Sequence, residues 1–408
     1  MNTPLSKSSN PEPFKAVFSK TDVEDLKERL SRSRWPDQLP GVGWEYGANL
    51  QYVQELAEHW ETKFDWQKAE AYINSFRQYK LTVNGIELHF VHERSDDPDA
   101  IPLIFSHGWP GSFMEAFKII PRLTAGKPQA FHVVVPSLPG FGFSSAPKTV
   151  GFGAAEIAKT YNGLMQALGY TSYVAQGGDY GSAVTCCLGS GFPKHCKAIH
   201  LNFVDVAIGF GRPRMSNPWH VAMLLNAKLP FLDGVPLFIS REEIEYLKQN
   251  ERFVKYEAGY AQLQFTKPTT VGYGLNDSPV GLLAYIVEKF RSWSDCRGDL
   301  ESRFSKDDVL MDISLYWFNK NITSSFRVYY ESMGPHAKDK HLTSGKRVEV
   351  PTAVANFRNE LFKVPQSWAA SSFNLKRWSK FPTGGHFAAL EEPELLANDM
   401  IQFFAQYQ

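Results

Sequence analysis

Residues 177–181 read Gly-Gly-Asp-Tyr-Gly and directly follow the apolar run at residues 172–176. Together they predict a strand, a very tight turn and a helix, which is the layout of the Gly-x-Ser-x-Gly elbow that presents a catalytic serine. Here the serine position holds Asp179. Because a carboxylate at that place can attack an sp3 carbon and be held as an ester, the sequence predicts alkyl-ester chemistry.

A nucleophile on such an elbow works with a histidine base and an acid, in the chain order nucleophile, acid, histidine. His386 is the candidate base, because it lies in a Gly-Gly-His-Phe segment between strand-like sequence and the final helix. Two carboxylates fit the acid: Glu360 follows the strand-like residues 348–354, and Asp205 follows the strand-like residues 198–203. Spacing alone leaves both carboxylates open.

The segment His-Gly-Trp-Pro-Gly at residues 107–111 follows the strand-like residues 101–105. A backbone N–H from a loop in this place, with the N–H of the residue after the nucleophile, commonly forms an oxyanion hole. The sequence therefore predicts that the amides of Trp109 and Tyr180 form it.

The elements that must position these residues change character along the chain. Residues 14–76 show helical stripes, in which Thr21 and Glu24 have capping-box spacing and Trp35-Pro36 ends the first helix. A β-hairpin follows, with a type I′ turn at Asn84-Gly85. Strand-like and helix-like segments then alternate, which predicts an α/β fold with a mostly parallel sheet and helices on both faces.

The predicted strands and helices of this alternating part have defined bounds. The strands lie at residues 101–105, 131–135, 172–176, 198–203, 348–354 and 374–378, and the helices lie at residues 112–123, 156–168 and 394–407.

Alternation stops between about residues 205 and 340, where the sequence is aromatic and helix-leaning. The simplest interpretation is a mainly helical cap inserted into the sheet domain. We therefore predict a helical N-terminal extension (1–78), a first core part (79–205), the cap (206–340) and a second core part (341–408). The apolar run at 222–239 contains Lys228, Pro230, Asp233 and Pro236, which favours a loop of the cap over a membrane span.

Bulk properties exclude several classes of partner. The chain has 408 residues with 43 basic and 43 acidic side chains, so no charge excess points to nucleic acid or an anionic membrane. Its four cysteines show neither metal-ligand spacing nor a disulfide framework, which suits a reducing compartment. The polar N-terminus shows no signal peptide or membrane anchor, so we expect a soluble, cytoplasmic protein.

Taken jointly, the motifs resemble the epoxide hydrolases of the microsomal type, in their soluble, fungal-like form, over nearly the whole chain. The motifs that carry the resemblance are His107–Pro110, Pro139–Ser144, Gly177–Gly181, Thr266–Pro268, Leu275–Gly281, Gly384–Phe387 and Glu391–Glu394, with Arg34–Pro36 in the N-terminal extension.

The resemblance implies an assignment for the acid and for two further groups. Family members place a carboxylate before Leu in a segment that ends Pro-x-x-Trp, and Glu360 matches it. The family also uses two tyrosines of the cap. Tyr260, ahead of Thr-Lys-Pro, matches the first, and Tyr329 matches the second, although the adjacent Tyr330 leaves that position open.

The activity that the resemblance implies is hydrolysis of a small lipophilic epoxide by water to a vicinal diol, through an ester on Asp179. It implies no cofactor and no metal, and a homodimer is expected by resemblance alone. A haloalkane dehalogenase would use the same ester chemistry, but there an indole N–H next to the nucleophile commonly holds the halide, where this chain has Tyr180. A binding protein on the same fold would not need nucleophile, base, acid and tyrosines together.

Overall fold

The computed structural model describes residues 10–204, 240–334, 337 and 347–407. Asp205 and the apolar run at 222–239, which the sequence singled out, lie outside these residues. Across the described helices, none combines the length and apolar character needed to cross a bilayer.

The core of the protein is a nine-stranded sheet with the strand order β1-β2-β3-β5-β4-β6-β7-β8-β9. Its strands are β1 (Glu12–Phe14), β2 (Gln78–Val83), β3 (Ile86–Glu93), β4 (Ile101–Ser106), β5 (Phe131–Pro136), β6 (Tyr173–Gly177), β7 (Cys196–Leu201), β8 (Val348–Phe357) and β9 (Phe373–Phe381). The pairs formed by β1, β2, β3 and β5 are antiparallel, and all pairs from β5 to β9 are parallel. The predicted α/β fold class with a mostly parallel sheet is therefore confirmed.

Helices connect the strands and form one long insertion. The described α-helices are α1 (Lys20–Ser31), α2 (Leu50–Thr62), α3 (Trp66–Ile73), α4 (Ile120–Thr124), α5 (Ala154–Ala167), α6 (Asp179–Gly191), α7 (Arg241–Tyr256), α8 (Gly259–Thr266), α9 (Pro268–Asp277), α10 (Pro279–Trp293), α11 (Lys306–Phe318), α12 (Ile322–Met333), α13 (Gln366–Ser372), α14 (Ala388–Glu391) and α15 (Pro393–Phe404). We call α7 to α12, which lie between β7 and β8, the cap helices.

Sheet order brings the carboxyl ends of five neighbouring parallel strands, β4 and β6 to β9, to one edge. Ser106 at the end of β4 pairs with Gly177 at the end of β6, and Gly177 pairs with Leu201 at the end of β7. Leu201 in turn pairs with Val354 of β8, and β8 pairs with β9 on its other side. The loops after β4, β6, β8 and β9 therefore meet, and such an edge is where α/β sheets bind ligands.

The N-terminal region is tied to the cap helices as well as to the sheet. Buried Trp60 of α2 donates from Nε1 to Ser314 Oγ of α11 at 3.1 Å. His59 Nε2 lies 2.8 Å from Asp307 Oδ1, also in α11. Arg29 of α1 reaches the Asp277 carboxylate at 3.2 Å.

Some local predictions were wrong. The first helix begins after Ser19, whose Oγ accepts from the Asp22 N–H, so Thr21 is not its cap, and it ends at Ser31, ahead of Trp35-Pro36. The helix predicted over 112–123 is a 3-10 turn (Phe113–Ala116) followed by the short α4. Pro121 explains the break, because proline lacks the N–H that a continuous helix needs. The hairpin turn is as predicted, with positive φ at Asn84 and Gly85.

Gly181 marks the closest approach of α6 to β4. A Cβ added there would lie 2.0 Å from the backbone oxygen of Ser106, which is fixed in the sheet. Gly191, at the exposed end of the same helix, has open space around its Cα. Only the first glycine is therefore needed for packing.

We expect Gly181→Ala to lower the free energy of unfolding by about 2 kcal/mol, because the added methyl displaces the helix from the sheet. Gly191→Ala should leave it unchanged or raise it by up to about 1 kcal/mol, because alanine favours a helix. Urea unfolding followed by circular dichroism measures both. Equal stability of the two variants would contradict the packing argument.

Candidate active site

Asp179 lies at the first position of α6, one residue beyond the N-cap Gly178, and its φ is +46°. An L-residue rarely adopts this left-handed conformation, and it costs about 1–2 kcal/mol. The conformation turns the carboxylate toward the loop that follows β4. A Cβ at Gly108 of that loop would lie 2.2 Å from Asp179 Oδ1, so the close approach requires glycine there.

The two carboxylate oxygens of Asp179 have different partners. The Trp109 N–H donates to Oδ1 at 2.8 Å. His386 Nε2 lies 3.1 Å from Oδ2. One oxygen thus lies at the predicted oxyanion loop and the other at the predicted base.

Glu360 stands behind His386. Its Oε1 lies 2.6 Å from His386 Nδ1 and also accepts the Leu361 N–H at 2.7 Å. Because a carboxylate only accepts, Nδ1 carries the proton in this contact and Nε2 is the nitrogen that faces Asp179. The Glu360 backbone is itself held, since Gln249 of α7 donates to its carbonyl at 2.7 Å. Of the two candidate acids, Glu360 is thus the one in contact with the histidine, while Asp205 lies outside the described residues.

The protonation of His386 depends on both carboxylates. Burial disfavours its charged form, but the charges and hydrogen bonds of Glu360 and Asp179 outweigh burial and raise the pKa of His386 well above its ordinary value. When Asp179 is ionised, the imidazole is therefore held as imidazolium. Any reaction that neutralises Asp179 removes part of this stabilisation and moves the imidazole toward its neutral form.

Three further contacts hold the loop after β4. Burial lowers the pKa of His107 to about 4, so its ring is neutral at pH 7. Its Nε2 accepts the Leu138 N–H at 3.1 Å, and Nδ1 donates to the Gly108 carbonyl at 3.1 Å. The Tyr316 hydroxyl donates to the Gly111 carbonyl at 2.7 Å. These bonds fix the direction of the Trp109 N–H.

The second predicted oxyanion donor is the amide of Tyr180, the second residue of α6. The first N–H groups of a helix have no partner within it and carry the positive end of its dipole. The phenol of Tyr180 contacts Ser332 Oγ of α12 at 2.6 Å. The role of its amide stays a prediction.

A cavity of about 210 Å³ opens above Asp179. Tyr260 of α8 and Tyr329 of α12 line it together with Asp179, whereas Tyr330 is not among its described lining residues. The rest of the described lining is mainly apolar, with Phe203, Phe253, Val254, Ala258, Ala261, Phe265, Met333, Leu361 and Phe362. The geometry thus favours Tyr329 over its neighbour as the second phenol of the site.

The two phenols have different surroundings. The Tyr260 ring stacks on the Trp109 ring with centroids 5.3 Å apart and an angle of 11°. The Tyr329 ring lies 6.3 Å from that of Tyr260. Burial, and then the charge of Asp179, raise the pKa of Tyr329 well above its ordinary value, so this phenol is protonated at neutral pH.

A larger groove of about 760 Å³ lies beside the cavity and shares Phe253 and Leu361 with it. Its described lining contains Arg252, Arg291 and Arg297 but no member of the Asp179–His386–Glu360 triad. Among the described residues no cluster of three or more His, Cys, Asp or Glu could hold a metal ion. Of these two spaces, the smaller cavity is the one that Asp179 of the candidate triad lines.

Sequence reasoning missed Trp293. Its carbonyl accepts the His386 N–H at 3.0 Å, and its ring lies 5.1 Å from the His386 ring and 5.0 Å from the Tyr260 ring. It therefore links base and phenol. The sequence offered no signal for it, because one aromatic residue at the end of an amphipathic helix looks like ordinary core.

The sheet order, the elbow and the contacts of Asp179 define the class of protein: an α/β-hydrolase with an aspartate at the elbow. Residues 101–393 match the family model described as alpha/beta hydrolase fold. Residues 11–116 match the model described as epoxide hydrolase N terminus. The chain belongs to the epoxide hydrolase family, as the resemblance in its motifs predicted.

Relatives along nearly the full length support this membership. Epoxide hydrolase 1 of Oryctolagus cuniculus is 37% identical over 412 residues, covering 96% of this chain and 88% of the relative. The crystal structure of juvenile hormone epoxide hydrolase from the silkworm Bombyx mori superposes with a TM-score of 0.88 at 33% identity, covering 98% of this chain and 95% of that one. The Aspergillus niger epoxide hydrolase structure has a TM-score of 0.84 at 32% identity, with coverages of 98% and 97%.

We expect Asp179→Asn to shift the titration of His386 to lower pH, because the substitution removes a negative charge that raises its pKa. Nitrogen NMR of the labelled histidine side chain measures the midpoint. The exposed Asp25→Asn is the control and should leave the midpoint unchanged. An unchanged His386 midpoint in Asp179→Asn would show that the two side chains are not coupled.

Proposed function

We propose that this epoxide hydrolase works through an ester on Asp179, with His386 and Glu360 activating water and Tyr260 and Tyr329 assisting ring opening. One observation carries the proposal: the two carboxylate oxygens of Asp179 have different partners. The Trp109 amide contacts Oδ1, and the His386 imidazole contacts Oδ2. The mechanism follows from this division.

In the first step, Asp179 Oδ2 attacks a ring carbon of the epoxide. Because the Trp109 N–H holds Oδ1 as the future carbonyl oxygen of the ester, we assign the new bond to Oδ2. The carbon–oxygen bond of the ring breaks, and the ring oxygen receives a proton from the phenols that line the same cavity. A phenol suits this task because it is protonated at neutral pH yet more acidic than an alcohol.

In the second step, water attacks the ester carbonyl carbon. Ester formation has removed the negative charge of Asp179, so the pKa of His386 falls and the imidazolium releases its Nε2 proton to solvent. The neutral Nε2 then accepts a proton from water. Glu360 stabilises the imidazolium through Nδ1. The amides of Trp109 and Tyr180 bind the oxyanion that forms from Oδ1.

The products balance without a cofactor. The diol leaves with Oδ2 as one of its two hydroxyl oxygens, and the water oxygen completes the carboxylate of Asp179. The proton that the imidazolium releases after ester formation replaces, through solvent, the proton that a phenol gave to the ring oxygen, and the proton that His386 takes from water restores the imidazolium. The sum is one epoxide and one water converted into one vicinal diol.

The lining of the cavity supports a small lipophilic substrate. Apart from Asp179, the phenols of Tyr180, Tyr260 and Tyr329, and Gln262, the described lining side chains are apolar. Ligand sites of this kind gain affinity from apolar contact, and their few polar groups set orientation. Because Asp179, Tyr260 and Tyr329 serve the epoxide ring in the proposed mechanism, we propose that the remaining substituents are hydrocarbon.

We also propose that the cap helices act as a lid domain, since they supply both phenols while the sheet loops supply the triad. The four buried free cysteines support a reducing compartment such as the cytoplasm. The homodimer stays a prediction.

A single turnover in isotopically labelled water tests the ester. The label should enter the Asp179 carboxylate, and the diol of that first turnover should carry none. Mass spectrometry of the peptide that contains Asp179 and of the diol measures both. Direct appearance of label in the first diol would exclude the ester route, and Asp179→Ala should show neither incorporation nor turnover.

The two adjacent tyrosines of α12 give a matched pair of variants. We expect Tyr329→Phe to slow ester formation by about 10²-fold, because a hydrogen-bond donor that stabilises the negative charge developing on the ring oxygen is lost. Tyr330→Phe should leave this rate within about twofold, since Tyr330 is not among the described residues that line the cavity. Stopped-flow tryptophan fluorescence follows the step, and a larger loss in Tyr330→Phe would reverse the assignment.

A further inference from the structure

Lys289 is a buried lysine beside one of the two phenols. It lies in α10 with only 7% of its surface exposed. Its Nζ lies 4.9 Å from the centroid of the Tyr260 ring and 5.8 Å from that of Trp293. Lysine side chains are almost never buried unless they are paired, so this position requires an explanation.

An ion pair explains how the charge of Lys289 can be buried, but it does not explain why the ammonium lies beside Tyr260. Glu288 contacts the Lys289 ammonium directly. Glu257 is also near: burial and Glu288 raise its pKa, and Lys289 opposes them. The same ion pair on the outer face of α10 would keep its water and avoid the cost of desolvation. Its location over Tyr260 therefore calls for a benefit at Tyr260.

The two phenols have different charged neighbours, although both line the cavity that Asp179 borders. Tyr260 has the Lys289 ammonium over its ring. Tyr329 is buried and has the Asp179 carboxylate as its strongest neighbouring charge. A positive neighbour favours a phenolate, and a negative neighbour together with burial disfavours it.

We propose that Lys289 makes Tyr260 the phenol that releases its proton to the opened epoxide, while Tyr329 donates a hydrogen bond and keeps its proton. This inference rests on the proposed roles of the two tyrosines in ring opening. The ring carbon–oxygen bond breaks as the Asp179 Oδ2–carbon bond forms, and the proton moves from Tyr260 Oη to the ring oxygen. A tyrosinate remains, and it returns to the phenol with the proton that the His386 imidazolium releases after ester formation.

The contact acts selectively on this step. A cation is attracted weakly to a neutral aromatic ring and more strongly to a tyrosinate. Lys289 thus stabilises the state after proton transfer more than the bound substrate, and such a difference accelerates a reaction. Lys289 touches neither substrate nor Asp179 and acts through Tyr260, so it is a positioning residue.

Transient kinetics of Lys289→Met tests the inference. We expect ester formation to slow about tenfold, which corresponds to about 1.4 kcal/mol, while hydrolysis of the ester keeps its rate. Lys289→Arg keeps the charge and should recover most of the loss. Lys255→Met is the control, because Lys255 lies 4.8 Å from the Tyr256 ring, which is not among the described residues of the cavity. It should leave both steps unchanged.

The effect of Lys289→Met is measured in two further variants, Tyr260→Phe and Tyr329→Phe. The comparison distinguishes action through Tyr260 from a structural effect. In Tyr260→Phe, adding Lys289→Met should cause no further loss, because the group through which Lys289 acts is absent. In Tyr329→Phe, the same change should keep its full tenfold effect. Equal losses in both backgrounds would overturn the inference. If Tyr260→Phe alone left ester formation unchanged, the proposed function of Tyr260 would fail instead.

The variant Glu288→Gln distinguishes the proposed role of Lys289 from a loss of packing or folding in Lys289→Met. Removing the carboxylate leaves the ammonium over Tyr260 and increases its positive field, so ester formation should stay equal or become faster. An ion pair needed only for packing predicts a loss as large as that of Lys289→Met. That loss, in a variant with unchanged circular dichroism, would overturn the inference.

Discussion

The active site depends on one left-handed residue, Asp179, at the junction of β6 and α6. With φ at +46°, its carboxylate stands above the carboxyl edge of the sheet, where the loops after β4, β8 and β9 converge. Strain of this kind persists only where the surroundings fix it. Here the surroundings are the β4 loop at Oδ1, His386 at Oδ2 and the Gly181 contact of α6 with β4. Relaxation of the turn would separate the nucleophile from all of them at once.

In the mechanism that we propose, the charge of Asp179 also sets the order of the two steps. While it is present, it helps to raise the pKa of both His386 and Tyr329. The imidazole is then protonated and cannot activate water early, and Tyr329 keeps its proton. Formation of the ester cancels the charge, and the base becomes available only when there is an ester to hydrolyse. The order of the steps thus follows from electrostatics, without movement of the backbone.

The sequence predicted those parts of the protein that local chemistry determines. The elbow at Asp179, the hairpin turn at Asn84-Gly85 and the parallel strands follow from turn residues and apolar periodicity, and the structure contains them. The edge strand β1 was missed, because three residues near the N-terminus pair only by tertiary contact. The helix predicted over 112–123 was wrong, because apolar periodicity predicts one continuous helix there while Pro121 cannot donate the hydrogen bond that such a helix needs.

For the site, spacing gave the order of nucleophile, acid and base, but left Glu360 and Asp205 open. The resemblance to a family, and then the 2.6 Å contact with His386, favoured Glu360. Tyr329 and Tyr330 differ by one position on a helix, and only the direction of each side chain separates them. Trp293 and Lys289 could not be found from sequence, because their significance lies in contacts between distant parts of the chain. Trp293 contacts His386 of the loop after β9, and Lys289 contacts Tyr260 of another cap helix.

In the mechanism that we propose, the unequal contacts of the two Asp179 oxygens determine the path of each oxygen atom. Oδ1 stays bound to the Trp109 N–H, so the carboxylate keeps its orientation between turnovers. The water oxygen enters on the side of His386 and occupies the position from which Oδ2 has just left. In the next cycle that same atom attacks the epoxide and departs in the diol. One hydroxyl oxygen of each diol therefore comes from the water molecule of the preceding turnover. Its incorporation into product is delayed by one catalytic cycle.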